Sequence, residues 1–407
     1  MPSDAMTRRL RTLLFSTLFP SSVRPGHGIF VQTRLRELLA TGSVDVRVVA
    51  PVPWFFSSNP RFGDYALYAR TPRRETLQGV PVFHPRYPLP PKVGMTVAPF
   101  SMALAAAPVI RSILAEGFDF DLIDAHYYYP DGVAAALLAK WFDKPLVVTA
   151  RGSDINLIAQ YRQPRRMMQW AARRAAASIG VSKALADAIG EWDIAREKLH
   201  VMRNGVDLER FRPLPRAESR ARLGLQGDPV LLSVGNLVPL KGHDLTIDAF
   251  ASLLPEYPQA QLALVGSGPE RSRLEEKVSA LGMQSRVLFA GSIPNAELPS
   301  WFSAADLSIL SSSREGWANV LLESMACGTP VVATRRGGTP EVITDAAAGR
   351  LVDVRDAEHI AAEIRALLRS RPSRESVRAH ASQFGWQATS AAQVNLFRSI
   401  AQETADA

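Results

Sequence analysis

The sequence predicts an α/β protein made of two doubly wound, parallel-sheet domains of the Rossmann-like kind. The chain has 407 residues, which is enough for two or three domains. Short β-branched runs alternate with stretches of helical period from end to end, as is typical of βαβ units. The alternation pauses at a polar stretch over residues 211–228 and then begins again. Two such sheets usually enclose a ligand cleft, so we expect the domains to face a central cleft.

The first series of elements predicts an N-terminal domain over residues 1–210. Its strand candidates lie at residues 11–17, 44–52, 121–126, 146–150, 178–181 and 199–202, with helical patterns at 30–39, 133–142 and 183–192. Residues 51–99 are rich in Pro, Arg and aromatic residues and lack a helical period. They predict an irregular insertion, which either packs as a surface loop or offers a docking place for acceptors or lipids.

The second series predicts a C-terminal domain over residues 211–385. Its strand candidates lie at residues 230–235, 261–265, 286–290, 307–310, 330–333 and 349–354. Residues 386–400 have a helical pattern that is too long to lead into another crossover. We therefore expect the last segment, 386–407, to form a helix that returns to the N-terminal domain.

Composition excludes several classes of protein. With 47% hydrophobic and 21% charged residues, the chain is an ordinary globular one. Its single cysteine, Cys327, excludes a disulfide framework and a cysteine-built metal site. Acidic residues and prolines interrupt the apolar runs, and the apolar stretch after Arg8 and Arg9 is too short for a signal peptide. These features predict a cytoplasmic protein without a membrane-spanning helix.

The basic excess lies in the first half of the chain. Residues 1–200 carry 25 Lys and Arg against 16 Asp and Glu, whereas the remainder carries 22 against 23. No nucleic-acid-binding motif accompanies this excess, so an anionic membrane surface is the favoured partner and a solvated basic face the simpler alternative. The segment Arg162–Arg174 has five arginines around Met167, Met168 and Trp170. Its apolar stripe either packs on its own domain or lies on an anionic membrane.

The most informative motif occupies residues 313–332, between a predicted strand and the end of the following helix. Glu315 and Glu323 are eight residues apart, which places them about 12 Å apart along a helix axis. The intervening helix start offers backbone N–H groups to a phosphate. Those groups belong to Gly316, Trp317, Ala318 and Asn319. A carboxylate on either side of an anion site suits a sugar–diphosphate–ribose ligand.

At this motif the chain resembles the family 4 retaining glycosyltransferases of GT-B fold, which share a Glu-x7-Glu pair in such a block. The resemblance extends to residues 203–207, 233–242, 264–269, 291–293 and 337–341. Residues 21–30 and 149–154 look most like enzymes of bacterial exopolysaccharide or teichuronic-acid assembly. The resemblance implies a nucleotide diphosphate sugar as co-substrate, a glycan or lipid-linked glycan as acceptor, and no cofactor.

The resemblance also implies roles for the matched residues. Lys241 would offset the charge of the diphosphate, Glu315 would position the transferred sugar, and His126 would reach that sugar's hydroxyls. The residues that the resemblance assigns to donor binding are Asn236, Gly266, Gly268, Ile293, Gly316, Trp317, Ala318, Asn319 and Glu323. Family members usually carry Arg at the position of Asn236, so diphosphate binding here would depend more on Lys241 and the helix start.

Two further strand ends predict an acceptor or phosphate loop. Gly26 and Gly28 follow the first strand, where glycine permits close approach to a ligand or simply forms a tight turn. Arg151 and Asp154 follow the strand at residues 146–150, and many relatives have His in place of Arg151. We expect Arg151 to contact an acceptor phosphate.

Residues 119–121 match the D-x-D motif that a different glycosyltransferase fold uses to hold a metal. Here the motif leads from a glycine turn into a buried strand, so we interpret it as a turn and expect no metal. Three alternative functions stay open: an inactive glycan-binding homologue, and a phosphorylase or an epimerase on the same fold.

Overall fold

The structure is a computed structural model that describes residues 8–89 and 94–405. The chain divides into unit 1, Met1–Arg203 with Gln387–Ala407, and unit 2, Asn204–Trp386. The division comes earlier than residue 210 because Val206 donates its N–H to Phe384 O at 2.9 Å and pairs with Gly385. Both of those partners belong to unit 2.

Unit 1 alternates strands and helices along most of its length. Its strands are β1 (Leu10–Phe15), β2 (Val44–Val49), β3 (Val52–Pro53), β4 (Arg74–Leu77), β5 (Val80–Phe83), β6 (Arg86–Tyr87), β7 (Leu122–His126), β8 (Leu146–Ala150), β9 (Ala177–Gly180) and β10 (Leu199–Val201). Its helices up to Arg203 are α1 (Ile29–Ala40), α2 (Asp64–Arg70), α3 (Gly94–Ala115), α4 (Val133–Phe142), α5 (Ser153–Asn156), α6 (Arg162–Arg174) and α7 (Lys183–Gly190).

These strands form an eight-stranded sheet in the order β10-β9-β8-β7-β1-β2-β5-β4, in which only β4 runs antiparallel. The central strands β1 and β7 pair in register from Thr12 opposite Leu122 to Phe15 opposite Ala125. Their side chains are buried on both faces of the sheet, as the apolar runs predict for a parallel sheet.

The prediction of an irregular insertion over residues 51–99 is wrong for most of that segment. Strand β5 extends the main sheet beside β2, β4 completes its edge, and β3 pairs with β6 in a separate ribbon. The strands are short, and Pro81 within β5 hides the alternating pattern. Residues 90–93 of the predicted insertion lie outside the described residues.

Helix α3 runs through Pro99 and Pro108, which were expected to interrupt any long apolar stretch. By length and composition alone, Met95–Ala115 could cross a membrane, with a mean hydropathy of 1.6. However, 44% of that stretch is buried, and α3 packs against α4 and β6 within unit 1. One side of α3 therefore belongs to the fold of unit 1, while other side chains such as Phe100 and Leu104 are exposed.

Unit 2 repeats the architecture with a smaller sheet. Its strands are β11 (Val230–Val234), β12 (Gln261–Val265), β13 (Val287–Gly291), β14 (Leu307–Leu310), β15 (Val331–Thr334) and β16 (Gly349–Val352). Its helices are α8 (Arg216–Leu223), α9 (His243–Leu253), α10 (Arg271–Ala280), α11 (Leu298–Ala304), α12 (Asn319–Ala326), α13 (Thr339–Val342), α14 (Ala357–Ser370) and α15 (Arg374–Ser382). The sheet order is β13-β12-β11-β14-β15-β16, and every pairing is parallel. The predicted α/β class with two Rossmann-like halves is therefore confirmed.

The last helix, α16 (Trp386–Ala405), packs into unit 1. Its residues Val394, Phe397 and Ile400 join the same apolar cluster as α1 and β2. A buried polar contact accompanies them, because Arg34 Nε donates to Gln393 Oε1 at 2.8 Å and Gln393 Nε2 donates to Asp124 Oδ2 at 3.3 Å. The C-terminal helix thus completes the core of the N-terminal unit, as the sequence predicts.

Candidate functional site

In unit 2, two predicted site residues lie at the point where the sheet order reverses. The chain passes from β11 outward to β13 and then returns to β14 on the other side of β11. Lys241 follows β11 and Glu315 follows β14, so both lie at the carboxyl edge of neighbouring strands. In open α/β sheets this topological switch point is where ligands bind.

The two side chains meet at this edge. Lys241 Nζ donates to Glu315 Oε1 at 2.6 Å, and both side chains are partly buried. The backbones are joined as well, since Ser313 N donates to Leu240 O at 2.9 Å. The structure therefore presents the predicted diphosphate cation and the predicted sugar-binding carboxylate as one ion pair.

The glycines of the neighbouring loop bring two strand ends together. At Gly266, with φ of +145°, a Cβ atom would lie 1.9 Å from Gly235 O. At Gly268 a Cβ atom would lie 2.3 Å from Leu237 O. Both glycines are thus required by the close contact between the loops after β11 and β12, whatever ligand approaches them.

Two other predicted donor-binding residues have side chains that are accessible to solvent. Asn236, in the loop after β11, is exposed, and its backbone oxygen accepts from His243 Nε2 at 3.2 Å. Ile293 follows β13 and is also accessible to solvent. A ligand can therefore reach both side chains without displacing a packed neighbour.

The start of α12 differs in part from the prediction. Asn319 was expected to offer a free N–H, but that group donates to Trp317 O at 3.1 Å. The Trp317 indole is buried against the ring of Phe384, so this ring belongs to the core of unit 2. Gly316 and Ala318 remain beside Glu315 in the loop before the helix.

Glu323, on the second turn of α12, lies in a small polar cluster that the sequence did not reveal. Asn295 donates a hydrogen bond to its carboxylate, and Arg210 lies close enough to stabilise its charge. Arg210 also donates to Asn295 Oδ1 at 2.9 Å. Burial nevertheless dominates and raises the pKa of Glu323 to about 7. Neither partner belongs to a recognisable motif, although Asn295 follows Ile293 by two residues.

In unit 1, His126 is more deeply buried than expected for a residue that reaches a substrate. Its Nε2 faces Asp124 Oδ2 at 3.3 Å, and its Nδ1 accepts from the guanidinium of Arg151. Burial lowers the pKa of His126 to about 4, even though Asp124 opposes that shift. The ring is therefore neutral, and both nitrogens are engaged within the unit. Asp124 shares its strand face at i−2, so the period of the strand could have identified this partner.

Asp154 and Arg151 hold this region together. The buried Asp154 carboxylate accepts from Tyr128 N and Gly152 N, both at 2.8 Å. Arg151 packs over the Phe30 ring at 5.4 Å while it contacts His126. Both predicted acceptor residues thus support the local loops, and the contact expected between Arg151 and an acceptor phosphate stays a prediction.

The two glycines of the first loop differ in their surroundings. At Gly28, with φ of +67°, a Cβ atom would lie 2.2 Å from the Leu18 backbone, so the tight-turn alternative accounts for this glycine. At Gly26 a Cβ atom would meet nothing within 4 Å, so packing does not require glycine there.

The D-x-D carboxylates contact separate cations. Asp119 Oδ1 accepts from Lys144 Nζ at 2.7 Å, and Asp121 Oδ1 accepts from Arg8 at 2.7 Å. Over residues 8–89 and 94–405, no three His, Cys, Asp or Glu side chains are grouped so that they could hold a metal ion.

Comparisons with known proteins agree with this architecture. The family model of the Glycosyl transferases group 1 matches residues 215–384, and that of Glycosyltransferase Family 4 matches residues 26–210. A Bacillus subtilis protein named as a teichuronic acid biosynthesis glycosyltransferase is 32% identical over 81% of this chain and 82% of its own length. A D-inositol 3-phosphate glycosyltransferase of Frankia alni is 35% identical over 69% of this chain and 74% of its own.

Solved structures share the fold across the whole chain. Sucrose-phosphate synthase from Thermosynechococcus elongatus superposes with a TM-score of 0.76 at 22% identity, covering 97% of this chain and 99% of that one. The Anabaena protein HepE, solved in complex with UDP, gives a TM-score of 0.69 at 23% identity, covering 98% and 99%. At these identities the likeness concerns the fold alone.

Proposed function

The chain belongs to the group 1 and family 4 glycosyltransferases, and from that membership we propose that it transfers a sugar from a nucleotide diphosphate sugar to a hydroxyl group with retention of configuration. The observation that carries the proposal is the Lys241–Glu315 ion pair at the switch point of the unit 2 sheet. A cation and a carboxylate within 2.6 Å of each other suit a ligand with a phosphate next to a sugar.

The proposed chemistry is a front-face displacement. The bond between the anomeric carbon and the β-phosphate oxygen breaks, and the acceptor oxygen bonds to the same carbon on the same face. Lys241 stabilises the charge that develops on the leaving phosphate, and the N–H groups of Gly316 and Ala318 add to this stabilisation. The leaving phosphate oxygen takes the acceptor's proton, so no dedicated base is needed. Lys241 and the backbone N–H groups supply the positive charge that a metal ion would otherwise provide.

Glu315 and Glu323 divide the recognition of the donor. Glu315, beside Lys241, accepts hydrogen bonds from the transferred sugar. Glu323 accepts from the ribose hydroxyls, and Asn295 and Arg210 orient its carboxylate. Asn236, Gly266, Gly268 and Ile293 line the path between the phosphate and the base.

For the acceptor, we propose a glycan or lipid-linked glycan of cell-surface polysaccharide assembly. The relative named for teichuronic acid biosynthesis supports a glycan, and those named for D-inositol 3-phosphate support a polyhydroxylated acceptor. We assign the acceptor to unit 1, on the loops that contain Gly26, Gly28, Arg151 and Asp154.

We further propose that unit 1 lies on the anionic inner face of the cytoplasmic membrane. The apolar side of α6 packs inward through Met168, so its membrane contact would be made by the exposed arginines Arg162, Arg165, Arg166, Arg173 and Arg174. Phe100 and Leu104, one turn apart on α3, are 46% and 65% exposed. The two helices touch where Thr96 Oγ1 donates to Gln163 Oε1 at 3.3 Å. Exposed apolar side chains beside a basic helix are typical of peripheral membrane proteins.

A panel of nucleotide sugars tests the central proposal. A ligand at 100 times its Kd stabilises the folded state by about 2.7 kcal/mol, which a thermal-shift assay detects. We expect one nucleotide family to raise the melting temperature and its sugar conjugate to be hydrolysed slowly without acceptor. If no UDP-, GDP- or ADP-sugar binds, the proposal is wrong and the alternative of a glycan-binding homologue is favoured.

A further inference from the structure

A buried hydrogen-bond network joins the last helix of unit 1 to the carboxyl edge of its sheet. Gln393 on α16 contacts Asp124 on β7, and Asp124 contacts His126 at the end of the same strand. His126 in turn contacts Arg151, directly after β8. Apart from Arg151, which is partly accessible, every side chain of the network, including Arg34 of α1, is at most 2% exposed. Bulk water therefore does not compete for these contacts.

The side-chain amide of Gln393 can have only one orientation. An arginine side chain donates hydrogen bonds and accepts none. The Gln393 atom that faces Arg34 Nε at 2.8 Å must therefore be the oxygen. This directs Gln393 Nε2 to Asp124 Oδ2, at 3.3 Å. Arg34 is itself held by Met202, because its Nη1 donates to the Met202 carbonyl oxygen at 3.1 Å. The C-terminal helix thus supplies a fixed donor to a carboxylate on a central strand.

The same rule fixes the tautomer of His126. Its Nδ1 faces the guanidinium of Arg151, which can only donate, so Nδ1 must be the nitrogen without a proton. Nε2 then carries the proton and donates to Asp124 Oδ2, 3.3 Å away. A ring with a proton on Nδ1 would direct an N–H group at the guanidinium, and the contact with Arg151 would be lost.

Asp124 receives both of its hydrogen bonds at one oxygen. Gln393 and His126 donate to Oδ2, whereas Oδ1 is buried and has no hydrogen-bond partner within residues 8–89 and 94–405. Burial acts to raise the pKa of this carboxyl group, but His126 and the two arginines together hold it below its ordinary value. An ionised Asp124 attracts the Nε2 proton, and so it selects the tautomer that the contact with Arg151 requires.

We propose that Gln393 and Asp124 are positioning residues for Arg151. They act through His126, whose Nε2–H tautomer turns the Nδ1 lone pair toward the guanidinium. The ring of Phe30, with its centroid 5.4 Å from the guanidinium carbon, holds Arg151 from another side. Arg151 is thereby fixed at the carboxyl edge of the sheet, where ligands bind. His126 supports Arg151 and does not itself touch the substrate.

The link from this network to a substrate rests on the proposed transferase function, in which Arg151 belongs to the acceptor loops. The network also gives α16 a role beyond packing. The helix lies at the far end of the sequence from β7, yet its Gln393 determines how Asp124 is held, and Asp124 determines which nitrogen of His126 is protonated.

Nitrogen NMR of the full chain labelled in histidine and arginine tests the proposal. Ring-nitrogen shifts distinguish the two neutral tautomers from the imidazolium, and the spectrum of His126→Gln identifies the signal of His126 among the seven histidines. We expect the wild type to show the Nε2–H tautomer at pH 7, and Arg151 to give resolved Nη signals because its guanidinium cannot rotate. The Nδ1–H tautomer, an even mixture or an imidazolium would overturn the proposal.

Two variants test the positioning residues. Asp124→Asn keeps the shape of the side chain but removes its charge, which should move the tautomer ratio by about tenfold toward Nδ1–H, since a charged acceptor adds about 1–1.5 kcal/mol to a hydrogen bond. Gln393→Met removes the donor, so that Asp124 can turn away from His126, and the Arg151 Nη signals should broaden or merge. Gln402→Met is the matched control, because Gln402 is exposed on the same helix.

The melting temperature of each variant shows whether it has folded, and either positioning variant suffices if the other does not fold. The proposal is overturned if a folded Asp124→Asn or Gln393→Met chain keeps the wild-type signals of both His126 and Arg151. A structural role in packing alone would lower the melting temperature without changing the tautomer.

Nucleotide titration separates this proposal from the transferase proposal. Gln393→Met should bind UDP, GDP or ADP as the wild type does, because unit 2 is unchanged. If a nucleotide binds through Lys241 while the NMR signatures are absent, the positioning inference fails and the transferase proposal stands. If the signatures are present but no nucleotide binds, the transferase proposal fails and the network keeps its role in holding Arg151.

Discussion

Lys241 Nζ and Glu315 Oε1 lie 2.6 Å apart, although 74 residues separate the two in the chain. The ion pair fixes both side chains before any donor arrives, at the edge where β11 and β14 are neighbours. Groups held in this way need little reorganisation when charge develops on a leaving phosphate. The pair therefore serves as the centre of the proposed donor site.

We expect Lys241→Ala to lower kcat by about two orders of magnitude or more, the scale of losing one donor to a transition-state oxyanion. Glu315→Ala should also act mainly on kcat. Lys277→Ala is a matched control, because Lys277 forms a similar ion pair with Asp248, between α10 and α9. Steady-state kinetics measure kcat for each variant. A wild-type kcat in Lys241→Ala would refute the assignment of Lys241 to the leaving phosphate.

Glu323→Ala should weaken nucleotide binding about tenfold to a hundredfold, since a hydrogen bond to a charged group contributes about 1.5–3 kcal/mol. Titration with the nucleoside diphosphate measures this loss. Unchanged affinity would mean that Glu323 does not bind the ribose.

The same residue predicts a pH effect on stability. Because the pKa of Glu323 is raised from 4.5 to about 7 on folding, its ionisation opposes folding as the pH rises through that interval. Glu323→Gln removes the effect and should stabilise the chain more at pH 8 than at pH 5, by about 3 kcal/mol at most. Urea unfolding at the two pH values tests the sign, and a greater gain at pH 5 would contradict it.

Asn236→Arg restores the residue that the family usually carries. The Asn236 side chain is accessible to solvent, so a longer side chain can extend outward and add a positive charge near Lys241. We expect donor affinity to be preserved or improved. A variant that folds but cannot bind the donor would show that the diphosphate lies elsewhere.

Activity should survive EDTA, because Asp119 and Asp121 already have cationic partners. Asp119→Asn should change activity and stability little, as its ion pair with Lys144 is largely exposed at Asp119. Activity that disappears with EDTA and returns with Mn²⁺ or Mg²⁺ would establish metal dependence.

Sedimentation with vesicles tests the membrane proposal. Binding to anionic vesicles should weaken steeply as salt rises, and Arg165→Glu with Arg166→Glu should abolish it while nucleotide binding persists. The same charge change in unit 2, Arg271→Glu with Arg273→Glu, is the control. Equal binding to neutral vesicles, or none to either kind, would leave the membrane proposal without support.

The sequence was most informative where periodicity and motif agree. All six strands of the unit 2 sheet and six of the eight in the unit 1 sheet are visible as apolar runs. The donor-binding role of the loops after β11 and β14 stays a prediction. Strand order, by contrast, depends on contacts distant in sequence, so nothing local indicates that Lys241 and Glu315 pair. The cluster of Asn295 and Arg210 around Glu323 also depends on contacts between residues distant in sequence, so no local pattern predicts it. Strands β4 and β5 were missed because each has only four residues, too few to show a period, and β5 also contains Pro81.

The return of α16 to unit 1 has a consequence for the order in which the protein folds during synthesis. Unit 2 is continuous in the chain and can fold as soon as it leaves the ribosome, whereas unit 1 lacks Gln393, Val394 and Phe397 until the residues that follow unit 2 have been made. Until then Arg34, which is buried in the finished unit, has no Gln393 to bind. The half that is made first should therefore be the half that is finished last, and a nascent chain halted before residue 387 should expose the apolar groove where α16 belongs.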